Sequence, residues 1–243
     1  MAAPVTEAGI ERLREMISSG TFPSGSRLPP EQELAVVLGV SRNTAREAVR
    51  ALSTARVLDV RRGDGTYVTS LRPELLLEGI AFAVELMQED SALELLEVRR
   101  ILEPAATALA ATHVTAVALG ELEKSLACMR ESGSDLEQLV LHDVQFHAQV
   151  AAASGNATLA SMLNGISSRM FRARVWRGML DFDAITRTID EHERILSAVT
   201  IRDAELARAA ALAHVATTEA FLRTLLAPPS PAVKASARRT VKL

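Results

Sequence analysis

The chain is 243 residues long, 48% apolar and 23% charged, with a net charge of −3. That balance suits a folded chain with one large or two smaller cores and excludes a disordered polyelectrolyte. Its single cysteine, Cys128, rules out an intrachain disulfide and fits a reducing cytoplasm, and no apolar run approaches the roughly 20 residues of a membrane span.

Aromatics are only 3% while alanine and leucine dominate, which favours helix over sheet. Charge is spread unevenly. Residues 1–72 hold ten arginines against eight acids, residues 73–227 hold thirteen bases against twenty-two acids, and 228–243 hold four bases and no acid. The first segment is therefore the folded part that a polyanion would tolerate.

In chain order, Ile10, Leu13, Met16 and Ile17 predict a helix over 7–19, ended by Gly20. A turn-rich stretch, Thr21 to Pro30, leads to a short helix from Glu31 to Leu38, closed by Gly39. Ser41 suits the N-cap of the next helix, whose core face is Ala45, Ala48, Val49 and Leu52. Residues 57–60 and 66–69 alternate as short strands around Gly63-Asp64-Gly65. Helix, turn, helix and glycine-tipped hairpin together spell a winged helix-turn-helix, an architecture that reads duplex DNA.

The second of those helices carries the reading face. Arg42, Arg46 and Arg50 recur every four residues off its apolar side, with Asn43 and Thr44 in its first turn. Arginine can grip guanine with two hydrogen bonds and asparagine can do so with adenine. Ser41 and the helix N-terminus can donate to a phosphate, and the glycine tip, flanked by Arg61 and Arg62, lets backbone approach the minor groove. The same arginines also fit a solvated face with one of them paired to Glu47; the combination with turn and wing favours DNA.

Arg72-Pro73 marks a domain boundary, giving expected segments of 1–70, 71–227 and a basic, disordered tail over 228–243. Beyond the boundary no strand pattern occurs. About seven helices are expected, with breaks at 90–91, 113–115, 132–134, 154–156, 178–183 and 202–203, which suits an antiparallel bundle. Pro104 kinks its helix or marks a first turn. The fold class is thus mainly α.

Four polar residues interrupt apolar stripes of this bundle. Asp143 and His147 lie beside Leu139, Phe146 and Val150 on a helix over 136–153. His192 falls among Ile185, Ile189, Ile195, Leu196 and Val199 on a helix over 184–201, and His214 runs alongside Leu206, Ala210, Ala213 and Phe221 on a helix over 204–226. Buried imidazoles and carboxylates are costly unless partnered, and these could satisfy one another around a divalent cation such as Zn²⁺ or Ni²⁺. Singly, each also fits a hydrogen-bonded core or rim residue. His142 points off the stripe, and His113, at a helix end, reads as surface.

Residues 5–69 resemble the GntR superfamily of bacterial transcription factors, through G-x-x-x-x-G-x-x-L-P, the E-x-E-L-A helix, V-S-R-x-T-x-R-E-A-V-R-x-L and G-x-G-T-x-V. The chain departs from that pattern at Gln32, where the family often has a DNA-contacting arginine, and at Ala55-Arg56, where an acidic-glycine turn is usual. The resemblance implies DNA contacts at Ser41, Arg42, Asn43, Thr44, Arg46 and Gly63, with Gln32 a neutral stand-in. Residues 73–226 resemble the all-helical FCD domain of the FadR subfamily, through E-V-R-R-I-L-E-P-A-A at 97–106, H-D-V-Q-F-H at 142–147, A-S-G-N at 153–156, E-H-E-R-I-L at 191–196 and A-L-A-H-V at 211–215. In its metal-binding members the ligand positions correspond to Asp143, His147, His192 and His214, and the effectors are small carboxylates.

The resemblance implies a homodimeric repressor that binds a pseudo-palindromic double-stranded DNA operator and answers to a small carboxylate held at the metal. Arg99 is a candidate second anchor for that carboxylate, and a surface pair with Glu103 is the equal alternative. Two other classes compete: a metal-dependent enzyme, weakened because His192-Glu193 lacks the second histidine of H-E-x-x-H, and an architectural DNA protein with a structural metal.

Overall fold

The computed structural model describes residues 5–87, 91–167 and 184–226. The chain divides into two compact units, the first ending at Ala83 and the second starting at Val84.

In the first unit α1 (Val5–Ser18), α2 (Glu31–Leu38) and α3 (Arg42–Thr54) precede a two-stranded antiparallel wing, β1 (Leu58–Arg61) and β2 (Gly65–Val68). Leu13 and Ile17 of α1, Leu34, Ala35 and Leu38 of α2, and Ala45, Ala48, Val49 and Leu52 of α3 share one core with Leu58 and Val68 of the wing. Gly39 ends α2 in the left-handed conformation, φ 64°, that glycine adopts without strain. Arg12 of α1 donates to the Leu38 carbonyl at 2.6 Å, capping the same helix end. Ser41 Oγ accepts from Thr44 N at 3.1 Å and starts α3 as expected.

The wing loop is two residues shorter than its sequence suggests. Its ladder pairs Leu58 with Val68 and runs to Arg61 opposite Gly65, so the loop is residues 62–64 and Gly65 belongs to a strand. Gly65 can do so because its φ of 144° suits glycine, and an added Cβ would stand 2.6 Å from Arg27 Nε. Arg56, where a glycine is usual, takes the left-handed conformation itself at φ 60°, and its carbonyl accepts from Thr69 Oγ1 at 2.8 Å. After the wing come α4 (Pro73–Leu76) and α5 (Glu78–Leu86).

In the second unit the described helices are α6 (Ala92–His113), α7 (Ala116–Glu131), α8 (Leu136–Ala153), α9 (Ala157–Ser167), α10 (Ala184–Thr200) and α11 (Ala204–Leu226). The expected breaks at 113–115, 132–134, 154–156 and 202–203 separate successive helices; that at 178–183, residue 90 and the tail 228–243 lie outside the described residues. Phe146 and Val150 of α8, Ile195, Ala198 and Val199 of α10, Ala207 and Ala211 of α11, and Ala110 and Ala111 of α6 close one core with Leu122, Leu126 and Met129 of α7. Pro104 does not mark a first turn. It sits deep inside the 22-residue α6, buried, where it leaves one carbonyl a turn earlier without its usual donor.

One stripe was misplaced by a residue. On α11 the buried line is Ala207, Ala211, His214, Val215 and Leu222, while Leu206 is exposed and lies beside Asp190, Glu193 and Arg194. The small alanines let α11 approach α6 closely, and that contact, rather than the larger leucine, sets the helix's rotation. No helix among the described residues is long and apolar enough to cross a membrane.

Candidate functional site

On the first unit, the exposed face of α3 presents Arg42, Asn43, Arg46 and Arg50, next to exposed Ser41 and, on α2, exposed Gln32. Thr44 departs from the expectation. It is 7% exposed, its hydroxyl lies 2.9 Å from Ser41 Oγ, and its methyl meets Gly9 of α1, so it serves the cap and the core. Arg46 Nε is 3.0 Å from Glu31 Oε2 on α2, and Arg50 Nη1 is 3.0 Å from Glu47 Oε1. Both pairs are solvent-exposed and hold their arginines only weakly, so the guanidinium groups can exchange acid for nucleic acid. At the wing, Gly63 is exposed at φ 80°, Tyr67 donates to Asp64 Oδ1 at 3.1 Å, Arg61 covers the Tyr67 ring at 4.3 Å, and Arg27 donates to the Asp64 carbonyl.

On the second unit, Asp143 and His147 of α8, His192 of α10 and His214 of α11 converge. All four are buried, and one ligand atom from each lies within 4.8 Å of the others. Ligands about 2.0–2.2 Å from a tetrahedral ion stand about 3.3–3.6 Å apart, so inward shifts of roughly 0.6 Å by each side chain would close the set. His192 Nε2 is 3.0 Å, and His147 Nε2 3.6 Å, from Asp143 Oδ1. Ring centroids of the three histidines are separated by 4.7–4.9 Å, and Phe146 stands edge-on to His192 at 4.7 Å, walling the group off from water. His142 is half-buried and outside the group, as its helical angle predicts. His113 is exposed, though its Nδ1 lies 2.9 Å from the Ser154 carbonyl.

The outer nitrogen of every imidazole faces an acceptor. His192 Nδ1 meets the Thr188 carbonyl at 2.6 Å, His214 Nδ1 the Glu191 carboxylate at 2.8 Å, and His147 Nδ1 the Glu103 carboxylate at 2.5 Å. A carbonyl or carboxylate oxygen that close requires the proton on Nδ1. A ring that is neutral with its proton on Nδ1 leaves the Nε2 lone pair free to bind a cation at the centre. Among the described residues, Nε2 of His147 and of His192 has only the Asp143 carboxylate, itself an acceptor, within ion-pair distance. Burying such acceptors without donors is costly, and a cation is the partner this donor set fits.

The charges agree. Burial pushes His214 down to about 4 against the opposing Glu191 carboxylate, with His192 and His147 adding to the effect, so this ligand is neutral at ordinary pH. Burial also opposes a charge on His147, but Glu103 and Asp143 outweigh it and raise its pKa, so a metal there must displace a proton. Glu103 is held well below the carboxylate range, since Arg99, then His147, overcome its burial. Arg99 is only 1% exposed, with Nε and Nη2 at 2.8 and 2.6 Å from Glu103 Oε2, so the expected surface pair is a buried one.

Residues 6–68 match the family described as bacterial regulatory proteins, gntR family, and residues 94–217 match the FCD domain. The HTH-type transcriptional regulator LutR of Bacillus subtilis (strain 168) is 33% identical over 211 residues, which cover 85% of this chain and 96% of the relative. The chain belongs to the GntR family, with an FCD domain. The galactonate operon transcriptional repressor of Escherichia coli (strain K12) is 28% identical over 225 residues, 90% of this chain and 97% of its own. The structure of Streptococcus agalactiae GntR aligns with a TM-score of 0.68 at 29% identity, covering 88% of this chain and 98% of that one. This GntR member is a transcription regulator with a DNA-binding and an effector-binding domain, and its relatives are regulators, not enzymes.

Sequence reasoning missed the residues that face the outer nitrogens. Glu191 had a signal, an acid directly before His192 but one helix step from His214's level. Glu103 stood in plain view as the partner of Arg99; its second contact, to His147, joins residues 44 apart and has no local trace.

Proposed function

We propose that this GntR regulator is a repressor whose operator binding is controlled by a small carboxylate held at a divalent metal, Zn²⁺ or Ni²⁺, between Asp143, His147, His192 and His214. The observation that carries the reading is the convergence of four buried ligand atoms within 4.8 Å of one another, with Nδ1 of each histidine facing an acceptor outside the group. A divalent ion among one carboxylate and three neutral imidazoles keeps about one net positive charge in a low-dielectric pocket and supplies a point of attachment for an anionic oxygen. Two relatives, named for a galactonate operon and an L-lactate dehydrogenase operon, carry hydroxy acids in their names and support that class of effector.

DNA reading falls to Arg42, Asn43, Arg46 and Arg50 on α3, with Gln32, Ser41 and Gly63 at its margins. A homodimer would bring two such faces to the half-sites of a pseudo-palindrome. Control requires that the acid bind the DNA-free form more tightly than the DNA-bound form. The test is a panel of hydroxy acids and sugar acids, screened for thermal stabilisation with added zinc or nickel and again after chelation, followed by release of operator DNA. An acid whose stabilisation and DNA release both vanish on chelation supports the proposal. A zinc-loaded chain indifferent to every acid, with DNA binding sensitive only to salt, overturns it in favour of a structural metal.

A further inference from the structure

Arg99 and Glu103 pose a problem that the metal ligands alone do not answer. Both are buried, at 1% and 5% exposure, one turn apart on α6, a helix that contributes no ligand to the cluster. A buried ion pair is poor value for stability, because apolar residues of the same size often do as well. Its geometry is specific. Arg99 donates one hydrogen bond, from Nε to Glu103 Oε2 at 2.8 Å, with Nη2 in ion-pair contact with the same oxygen at 2.6 Å, and the other oxygen, Oε1, stands in ion-pair contact with His147 Nδ1 at 2.5 Å. The two ends of one carboxylate are thus assigned to two different partners.

We infer that Arg99 and Glu103 are a positioning pair for the metal site: Arg99 aims Glu103, and Glu103 locks His147 in the tautomer that presents Nε2 to the ion. The inference rests on the metal reading above and assigns Arg99 a task that precedes any effector. His192 and His214 receive the same service from α10 itself, through the Thr188 carbonyl and Glu191. Only His147 draws its acceptor from α6, so the pair also ties that helix to the cluster.

The assignment of ends makes a sharp test. In Glu103→Gln the amide has one acceptor and one donor. Arg99, a fixed cation, attracts the amide oxygen, which leaves the NH₂ facing His147 Nδ1. That nitrogen must then accept, the proton moves to Nε2, and the ligand is lost. Replacing Arg99 by Met in the same chain removes the attraction and lets the amide oxygen turn back to Nδ1. The full-length wild type, E103Q and R99M/E103Q are titrated with Co²⁺ against a competing chelator, without effector. The cobalt absorption spectrum and helical circular dichroism are recorded together.

We expect E103Q to bind Co²⁺ about 10–100-fold more weakly than wild type, the usual cost of losing an outer partner of a ligand. R99M/E103Q should recover most of that loss and the wild-type spectrum. E103Q binding as tightly as wild type overturns the inference, and so does a double variant that recovers nothing. Should E103Q fail to fold, R99M/E103L, which removes both members of the buried pair together, carries the test: about 10–100-fold weaker binding supports the pair and wild-type affinity overturns it. A wild-type chain that takes up no cobalt at all defeats the metal reading itself, an outcome distinct from an indifferent E103Q.

Discussion

Replacing His192 by Phe isolates what the ion contributes. His192 is fully buried and packs its ring 4.7 Å from Phe146, 4.9 Å from His147 and 4.7 Å from His214. An alanine there would open a cavity and add a cost of several kcal/mol unrelated to metal. Phenylalanine fills the space and offers no lone pair. With free zinc at 100 times its dissociation constant, the wild type gains about 2.7 kcal/mol. In a unit of this size each kcal/mol moves the midpoint by about 2–4 °C, so zinc should raise wild-type Tm by roughly 5–11 °C. A hundredfold loss of affinity brings the same zinc concentration to the dissociation constant, where the gain is about 0.4 kcal/mol and the shift only about 1–2 °C. Differential scanning fluorimetry with and without zinc, and after chelation, measures both. A wild-type-sized, chelator-reversible shift in His192→Phe would refute the ligand assignment.

Arg46→Ala should weaken operator binding by about 1–3 kcal/mol while metal content, read by mass spectrometry, stays at the wild-type level. Ser41→Ala removes the bond to Thr44 N and should cost about 1 kcal/mol in urea unfolding of the first unit; an unchanged midpoint would mean the cap is redundant. Gly65→Ala forces a Cβ toward Arg27 at a φ that L residues resist, a strain of about 1–3 kcal/mol, and fluorescence anisotropy should show weaker operator binding with metal uptake intact. The metal-free chain should be most stable near pH 6.5 as far as this cluster decides. The raised pKa of His147 gives stability that is fully present below 6.5 and is lost as pH climbs from there through the raised folded-state value, whereas His214, lowered to about 4, costs stability as pH falls from 6.5 toward 4. Urea midpoints rising steadily to pH 8 without metal would contradict that balance.

Much of this was legible because the signals are local. Gly39, the Ser41 cap and the apolar spacing of α3 act within a few residues of one another, so the helix-turn-helix could be drawn from sequence to within a residue or two. The cluster was legible for a different reason: Asp143, His147, His192 and His214 break apolar stripes, and a break in a stripe shows without knowing what faces it. What lies across from them was hidden. The Glu103–His147 contact and the rotation of α11 that buries Ala207 rather than Leu206 are decided between helices, by close packing of alanines that carry little pattern of their own. Thr44, expected as a DNA contact, also places its methyl against α1, a packing task its polarity conceals.

The order of the cluster along the chain has a consequence for how the protein is made. Its first two ligands lie on α8, the third on α10 and the last, His214, on α11. During synthesis the DNA-reading unit emerges with all its core residues more than a hundred residues before His214 is added. A prematurely terminated chain could therefore fold its N-terminal unit and occupy an operator while holding no ion and answering no acid. Nonsense mutations downstream of β2 and upstream of His214 would be expected to act as dominant, effector-blind alleles wherever the shortened protein survives.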